Sequence, residues 1–112
     1  MKKLFVIIAI LVSYLAGAGY SEGFKLYKQA QKALKKSDLK TANQKFLEAK
    51  IIFLDVAKNS HSSSALLKLS ELYCNGWGVV KDETQAKTYL IKAKKAGASL
   101  KFVNDKCIKN LN

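Results

Sequence analysis

Apolar residues recur along this chain at three- and four-residue steps, and those steps divide it into helices. From about Ser21 to Lys36, Leu26, Tyr27, Ala30, Ala33 and Leu34 form one apolar stripe among lysines and glutamines. The same period returns from about Leu39 to Lys58 in Leu39, Ala42, Phe46, Ala49, Phe53 and Val56. Ser37-Asp38 separates the two stripes, and either residue can cap the second helix. A polar, serine-rich stretch from Asn59 to Ser64 supplies the N-cap of a third helix, which carries Leu66, Leu69, Leu72 and Tyr73 up to Cys74. Asn75-Gly76-Trp77-Gly78 ends it, because glycine takes the left-handed backbone that a helix terminus asks for. Val79 then reads as a buried plug, and Asp82 with Gln85 three residues later as a capping box. The fourth helix buries Ala86, Tyr89, Leu90 and Ala93 and stops at Gly97. A fifth, from about Ser99 to Asn110, shows Leu100, Val103, Cys107, Ile108 and Leu111.

The chain contains no proline, and its few glycines fall between these segments. The expected fold is all-α: a short α/α solenoid of about five antiparallel helices. A lone hairpin cannot cover its own stripe, so each must lean on the next. Ala30, Ala33, Ala42, Ala49, Ala86 and Ala93 allow close approach of the axes.

The N-terminus has a different character. Lys2 and Lys3 precede an unbroken apolar run from Leu4 to Val12, and Ala16-Gly17-Ala18 has the small-residue pattern of a cleavage site. A spanning helix needs about 20 apolar residues, more than this run offers. Residues 1–18 therefore read as a signal peptide cleaved near Ala18, which places the rest in the periplasm or outside the cell. The competing reading is an uncleaved N-terminal membrane anchor. Residues 19–60 then make a helical hairpin, 61–98 a second unit and 99–112 a C-terminal capping helix.

Charge narrows the partner classes. The formal net charge is +12, or +10 once Lys2 and Lys3 are removed. Every basic residue is lysine, spread from Lys25 to Lys109, with no arginine for two-pronged phosphate or guanine contacts. A nucleic-acid role is set aside on that ground. A solvated face accounts for most of the lysines, and an acidic partner or an anionic membrane surface for the remainder.

Residues 65–97 carry a specific pattern. Ala65, Leu69, Tyr73, Gly76, Gly78, Val79, Asp82, Ala86, Tyr89, Ala93 and Gly97 fall in register with A-x3-LG-x2-Y-x2-G-x-GV-x2-D-x3-A-x2-Y-x3-A-x3-G. In these eleven positions the chain resembles a Sel1-like repeat, a relative of the tetratricopeptide repeat. It departs at Ser70, where that family usually has glycine, and slightly looser packing is expected there. Residues 22–58 resemble a more diverged tetratricopeptide hairpin, with Ala30, Ala33, Ala42, Phe46 and Ala49 at the packing positions.

The resemblance implies a non-catalytic module that binds a protein or peptide on the surface lined by the first helix of each hairpin. That would bring Lys28, Lys32, Lys68 and Glu71 near a ligand groove. Trp77, between two glycines at a loop tip, reads either as packed back across its hairpin or as an exposed anchor for a partner.

Exported, cysteine-bearing Sel1 proteins are the nearest group, and their bridges are local. Cys74 and Cys107 are too far apart in sequence for that. Aligning Leu66, Leu69 and Tyr73 with Leu100, Val103 and Cys107 gives a 34-residue repeat and sets the two cysteines almost level on neighbouring parallel helices. An oxidising compartment then favours a Cys74–Cys107 disulfide over two free thiols. Two cysteines and the single histidine, His61, lack metal-ligand spacing, and no cofactor is implied.

The same group suggests the alternative of a weak hydrolase acting on β-lactams or cell-wall material. Ser37-Asp38-Leu39-Lys40 has the S-x-x-K form, but no S-D-N triplet accompanies it, and Lys87-Thr88-Tyr89 lacks the glycine of K-T-G. Ser37 in a turn reads as a helix cap, and His61 as a solvated loop residue.

Overall fold

The computed structural model describes residues 19–101 and 103–112, so the apolar N-terminal run lies outside the described residues. Those residues form five helices: α1 (Tyr20–Lys35), α2 (Leu39–Ser60), α3 (Ser63–Asn75), α4 (Glu83–Lys95) and α5 (Lys106–Leu111). Among the described residues no helix is long and apolar enough to cross a membrane.

Local chemistry sets the boundaries. Asp38 caps α2 by accepting the Thr41 N–H at 3.2 Å, and Ser62 Oγ caps α3 through the Ala65 N–H at 3.2 Å. Hydrogen bonding from Thr41, by side chain and then backbone, holds the Asp38 carboxyl below the usual carboxylate range. Asp82 accepts from the Gln85 N–H as expected, but the reciprocal half of the capping box is replaced. The Asp82 N–H donates to the Tyr73 carbonyl instead, tying the loop back to α3.

Packing follows the chain order. α1 lies along α2 and α3 along α4, with α2 against α3 and α5 against the α3–α4 pair. The larger core joins Tyr27, Ala30 and Ala33 of α1, six residues of α2 from Ala42 to Val56, and Ala65, Leu69 and Leu72 of α3. The smaller one gathers Cys74, Ala86, Leu90 and Ile108, with Leu100, Val103 and Leu111 packed on it. The backbone of α1 comes so close to α2 at Gly23 that a Cβ there would stand 2.7 Å from Phe53 Cε1.

The expected fifth helix is corrected. Residues Ser99–Leu100 and Val103–Asp105 are not helical, and α5 begins only at Lys106. Local hydrogen bonds compete with a helix here. Ser99 Oγ accepts the Lys101 N–H at 3.3 Å, and Val103 N–H donates to the Leu100 carbonyl at 3.2 Å. Asp105 then caps α5 through the Ile108 N–H at 3.0 Å.

Three side chains also depart from expectation. Leu39 is 61% exposed, outside the stripe that its spacing predicts, and Ile52 is buried on α2 instead. Val79 is half-buried against the larger core rather than enclosed. Ser70 does not loosen the α3–α4 contact. It is fully buried, and its hydroxyl donates to the Ala86 carbonyl at 2.7 Å, so the hydroxyl joins the helices where a glycine would leave only contact.

Candidate functional site

A groove of about 590 Å³ opens between α1 and α3 and the non-helical segment before α5. Phe24, Tyr27, Lys28 and Gln31 form one wall, Leu67, Lys68 and Glu71 the other, and Val103, Asn104 and Asp105 close one side. Its α1 wall is aromatic because Phe24 and Tyr27 sit three apart on that helix and share a face. They continue an aromatic file through the core: Phe24–Tyr27 at 6.2 Å, Tyr27–Phe46 at 5.7 Å and Phe46–Trp77 at 5.1 Å between centroids.

The polar groups of the groove form one network. The Tyr27 hydroxyl donates to Glu71 Oε2 at 2.7 Å and accepts from Gln31 Nε2 at 3.2 Å. Lys68 Nζ stands 3.1 Å from the same carboxylate oxygen and 4.5 Å from the Tyr27 ring centroid. Lys28 Nζ lies 5.0 Å above the Phe24 ring. Behind the lining, Asn75 Nδ2 donates to the Glu71 backbone carbonyl at 2.9 Å and to Asp105 Oδ2 at 3.0 Å. Glu71 is only 5% exposed, and its charge is taken up by Tyr27 and Lys68.

Burial, and then the charge of Glu71, push the Tyr27 hydroxyl well above its ordinary value. A tyrosine whose pKa is raised by folding favours the native state below about pH 10, its unfolded value, and that contribution is lost as pH climbs beyond it. Tyr27→Phe should cost about 1–2 kcal/mol at neutral pH, since Glu71 loses a buried donor. It should also lose the part of the alkaline decline that belongs to this hydroxyl. Urea titrations of both proteins between neutrality and strongly alkaline pH check it, and superimposed stability curves would show that the bond contributes nothing.

The structure brings together three of the four side chains anticipated for a groove. Lys28, Lys68 and Glu71 line it, whereas Lys32 stands on the neighbouring surface with Lys25, Gln29 and Lys35. Trp77 is half-buried. Its indole stacks on Phe46 with planes 9° apart and lies 6.3 Å from the Tyr27 ring in a tilted arrangement, so it packs on the α1–α2 hairpin and not back across its own. Phe24, Tyr27 and Gln31 were not anticipated as groove residues. The Phe24–Lys28 spacing of four was the available signal. Asp105 could not be anticipated, because its position depends on where α5 begins.

The eleven patterned positions all have structural duties. Ala65, Leu69, Ala86 and Ala93 are fully buried, Tyr73 and Tyr89 stack at 5.6 Å, and Asp82 is an N-cap. Gly76, Gly78 and Gly97 have positive φ, and Val79 packs on the core. Cys74 and Cys107 stand at disulfide distance, with Cα atoms 6.0 Å apart.

Ser37 has φ +61° and follows the end of α1, where its N–H donates to Leu34 and the Asp38 N–H to Ala33. This is the left-handed position of a Schellman turn. Glycine avoids the Cβ strain of that conformation, so Ser37→Gly should raise stability by about 0.5–1 kcal/mol in thermal or urea unfolding. A loss would show that the hydroxyl has a role of its own. His61 likewise ends α2 in the left-handed region, exposed to solvent. Comparison with protein-family models, with curated proteins and with solved structures finds no match for this chain.

Proposed function

We propose that this chain is an exported, non-catalytic helical-repeat module that binds a partner protein or peptide in the α1–α3 groove. In this reading the α1–α2 and α3–α4 hairpins stack as a short α/α solenoid of the tetratricopeptide and Sel1 kind. The groove then lies on the surface shared by the first helix of each hairpin. One observation carries the reading: half-buried Phe24 offers aromatic surface beside the ammonium of Lys28, while Glu71 is already neutralised by Lys68 and the buried Tyr27. Among the described residues Lys28 is left without a carboxylate partner on the α1 side, with Asp105 held by Asn75 and the Ile108 N–H at the opposite edge, so an acidic group of the partner is expected beside Lys28.

Export rests on the N-terminal run from Leu4 to Val12 and the Ala16-Gly17-Ala18 pattern. N-terminal sequencing of the protein from an envelope fraction should begin at or near Gly19.

Affinity capture from envelope extract tests the binding role. A partner held in the groove should be lost on Lys28→Glu and retained on Lys109→Glu, which lies on α5. Capture indifferent to Lys28→Glu would remove the groove from consideration. Steady hydrolysis of a chromogenic β-lactam, abolished by Ser37→Ala, would replace the binding module with an enzyme.

A further inference from the structure

A second groove of about 650 Å³ shares no lining residue with the first and lies between α2 and α4. Its floor is apolar, made by Leu54 of α2, Leu66 of α3 and Tyr89 of α4. Its rim is cationic on both sides, with Lys58 on the α2 wall and Lys92 and Lys95 on the α4 wall. No carboxylate lines it, and among the described residues none of these three lysines forms an ion pair. Lys92 Nζ rests 5.6 Å from the Tyr89 ring centroid, so rim and floor adjoin.

We infer that this α2–α4 groove is a second docking site, for an acidic amphipathic helix of a partner protein. The lysines define the occupant. A ligand with a single anionic head would satisfy one wall and leave the other unmatched. A helix with an apolar ridge between two acidic flanks meets both walls and fills the floor. A flat anionic bilayer meets the lysines but does not reach a floor recessed between two helices. A second copy of this chain is disfavoured, since its own net charge is strongly positive. The long lysine stems allow the rim to adjust to the occupant while their ammonium groups stay in water until it arrives.

The test uses the full chain and three synthetic helical peptides. One has leucines at i, i+3, i+4 and i+7 with glutamates on both flanks. The second keeps the leucines and replaces glutamate by lysine, and the third keeps the glutamates and replaces leucine by glutamine. Binding is followed by amide chemical-shift mapping and anisotropy. The first peptide should bind and shift the amides of Leu54, Leu66 and Tyr89. Lys58→Glu combined with Lys92→Glu should weaken it on the order of a hundredfold, from two reversed rim charges, and Lys28→Glu far less.

Four outcomes overturn the proposal: no binding of the first peptide, equal binding of the second or the third, shifts confined to the α1–α3 groove, or equal weakening by Lys28→Glu. Vesicles of phosphatidylglycerol that shift the same amides while the peptide does not would assign the surface to membrane instead. Failure here leaves the α1–α3 reading intact, because the two sites respond to different lysines.

Discussion

Replacing Gly78 by alanine should cost this fold more than about 3 kcal/mol, the largest single-methyl effect in the molecule. Two separate penalties coincide there. Gly78 has φ +70°, a conformation that costs a residue with a Cβ about 1–2 kcal/mol. A Cβ at this position would also stand 2.7 Å from the Leu47 backbone nitrogen and 2.7 Å from Phe46 Cβ. Neither neighbour can give way, since both belong to the middle of α2, and Phe46 is fully buried under Trp77 and Tyr27.

Gly97→Ala separates the penalties. Gly97 has φ +100°, but nothing lies within 4 Å of a Cβ there. It should therefore lose only the conformational part, about 1–2 kcal/mol. Urea unfolding of the two variants measures both, and equal losses would show that the loop does not press on α2. The larger loss should come with weakened aromatic near-ultraviolet dichroism, because the loop that displaces also carries Trp77.

Breaking the Cys74–Cys107 link should cost a comparable amount, roughly 3–4 kcal/mol for a loop of this length on the chain-entropy account. The effect should be uneven across the molecule. α5 has only six residues, too short to persist alone, and it is held by burial of Ile108, by the Asn75–Asp105 hydrogen bond and by this cysteine pair. In Cys107→Ser, hydrogen exchange should quicken through α5 and the segment before it while the larger core around Phe46 and Phe53 remains protected.

Protein purified without reductant should be two hydrogens lighter in mass than the reduced chain. Two titratable thiols in that preparation would show that the pair is not bonded. Because Val103, Asn104 and Asp105 close one side of the α1–α3 groove, the same substitution should also alter ligand binding there, linking the thiols to the shape of the candidate site.

Much of the architecture was legible before any coordinates. Helical period alone identified four of the five helices within a few residues of their ends. Alanine at Ala30, Ala33, Ala42, Ala49, Ala86 and Ala93 marks the closest packing, and all six are buried, Ala33 least completely at 9% exposed. The misreadings have a common cause. Leu39 fits the stripe of α2 by spacing, but it is the first residue of that helix and stays exposed. Leu100 and Val103 show helical spacing and are half-buried, yet both lie outside any helix, because short-range hydrogen bonds to Ser99 and the Asp105 cap compete with the helix. Apolar period reports which residues seek a core, and it does not report which backbone brings them there.

The candidate sites divide along the same line. Local physical chemistry, written residue by residue, determined the helix count, the caps at Asp38, Ser62 and Asp82, the glycine turn after α3 and the lysine-rich surface. These depend on neighbours within four residues. Tertiary structure alone decided that Tyr27 meets Glu71 across 44 positions, that Trp77 stacks on Phe46, and that Lys58 faces Lys92 and Lys95 over an apolar floor. Contacts at that separation depend on how two helices rotate and slide against each other. Side-chain volume and shape set that relation, and periodicity carries no record of it.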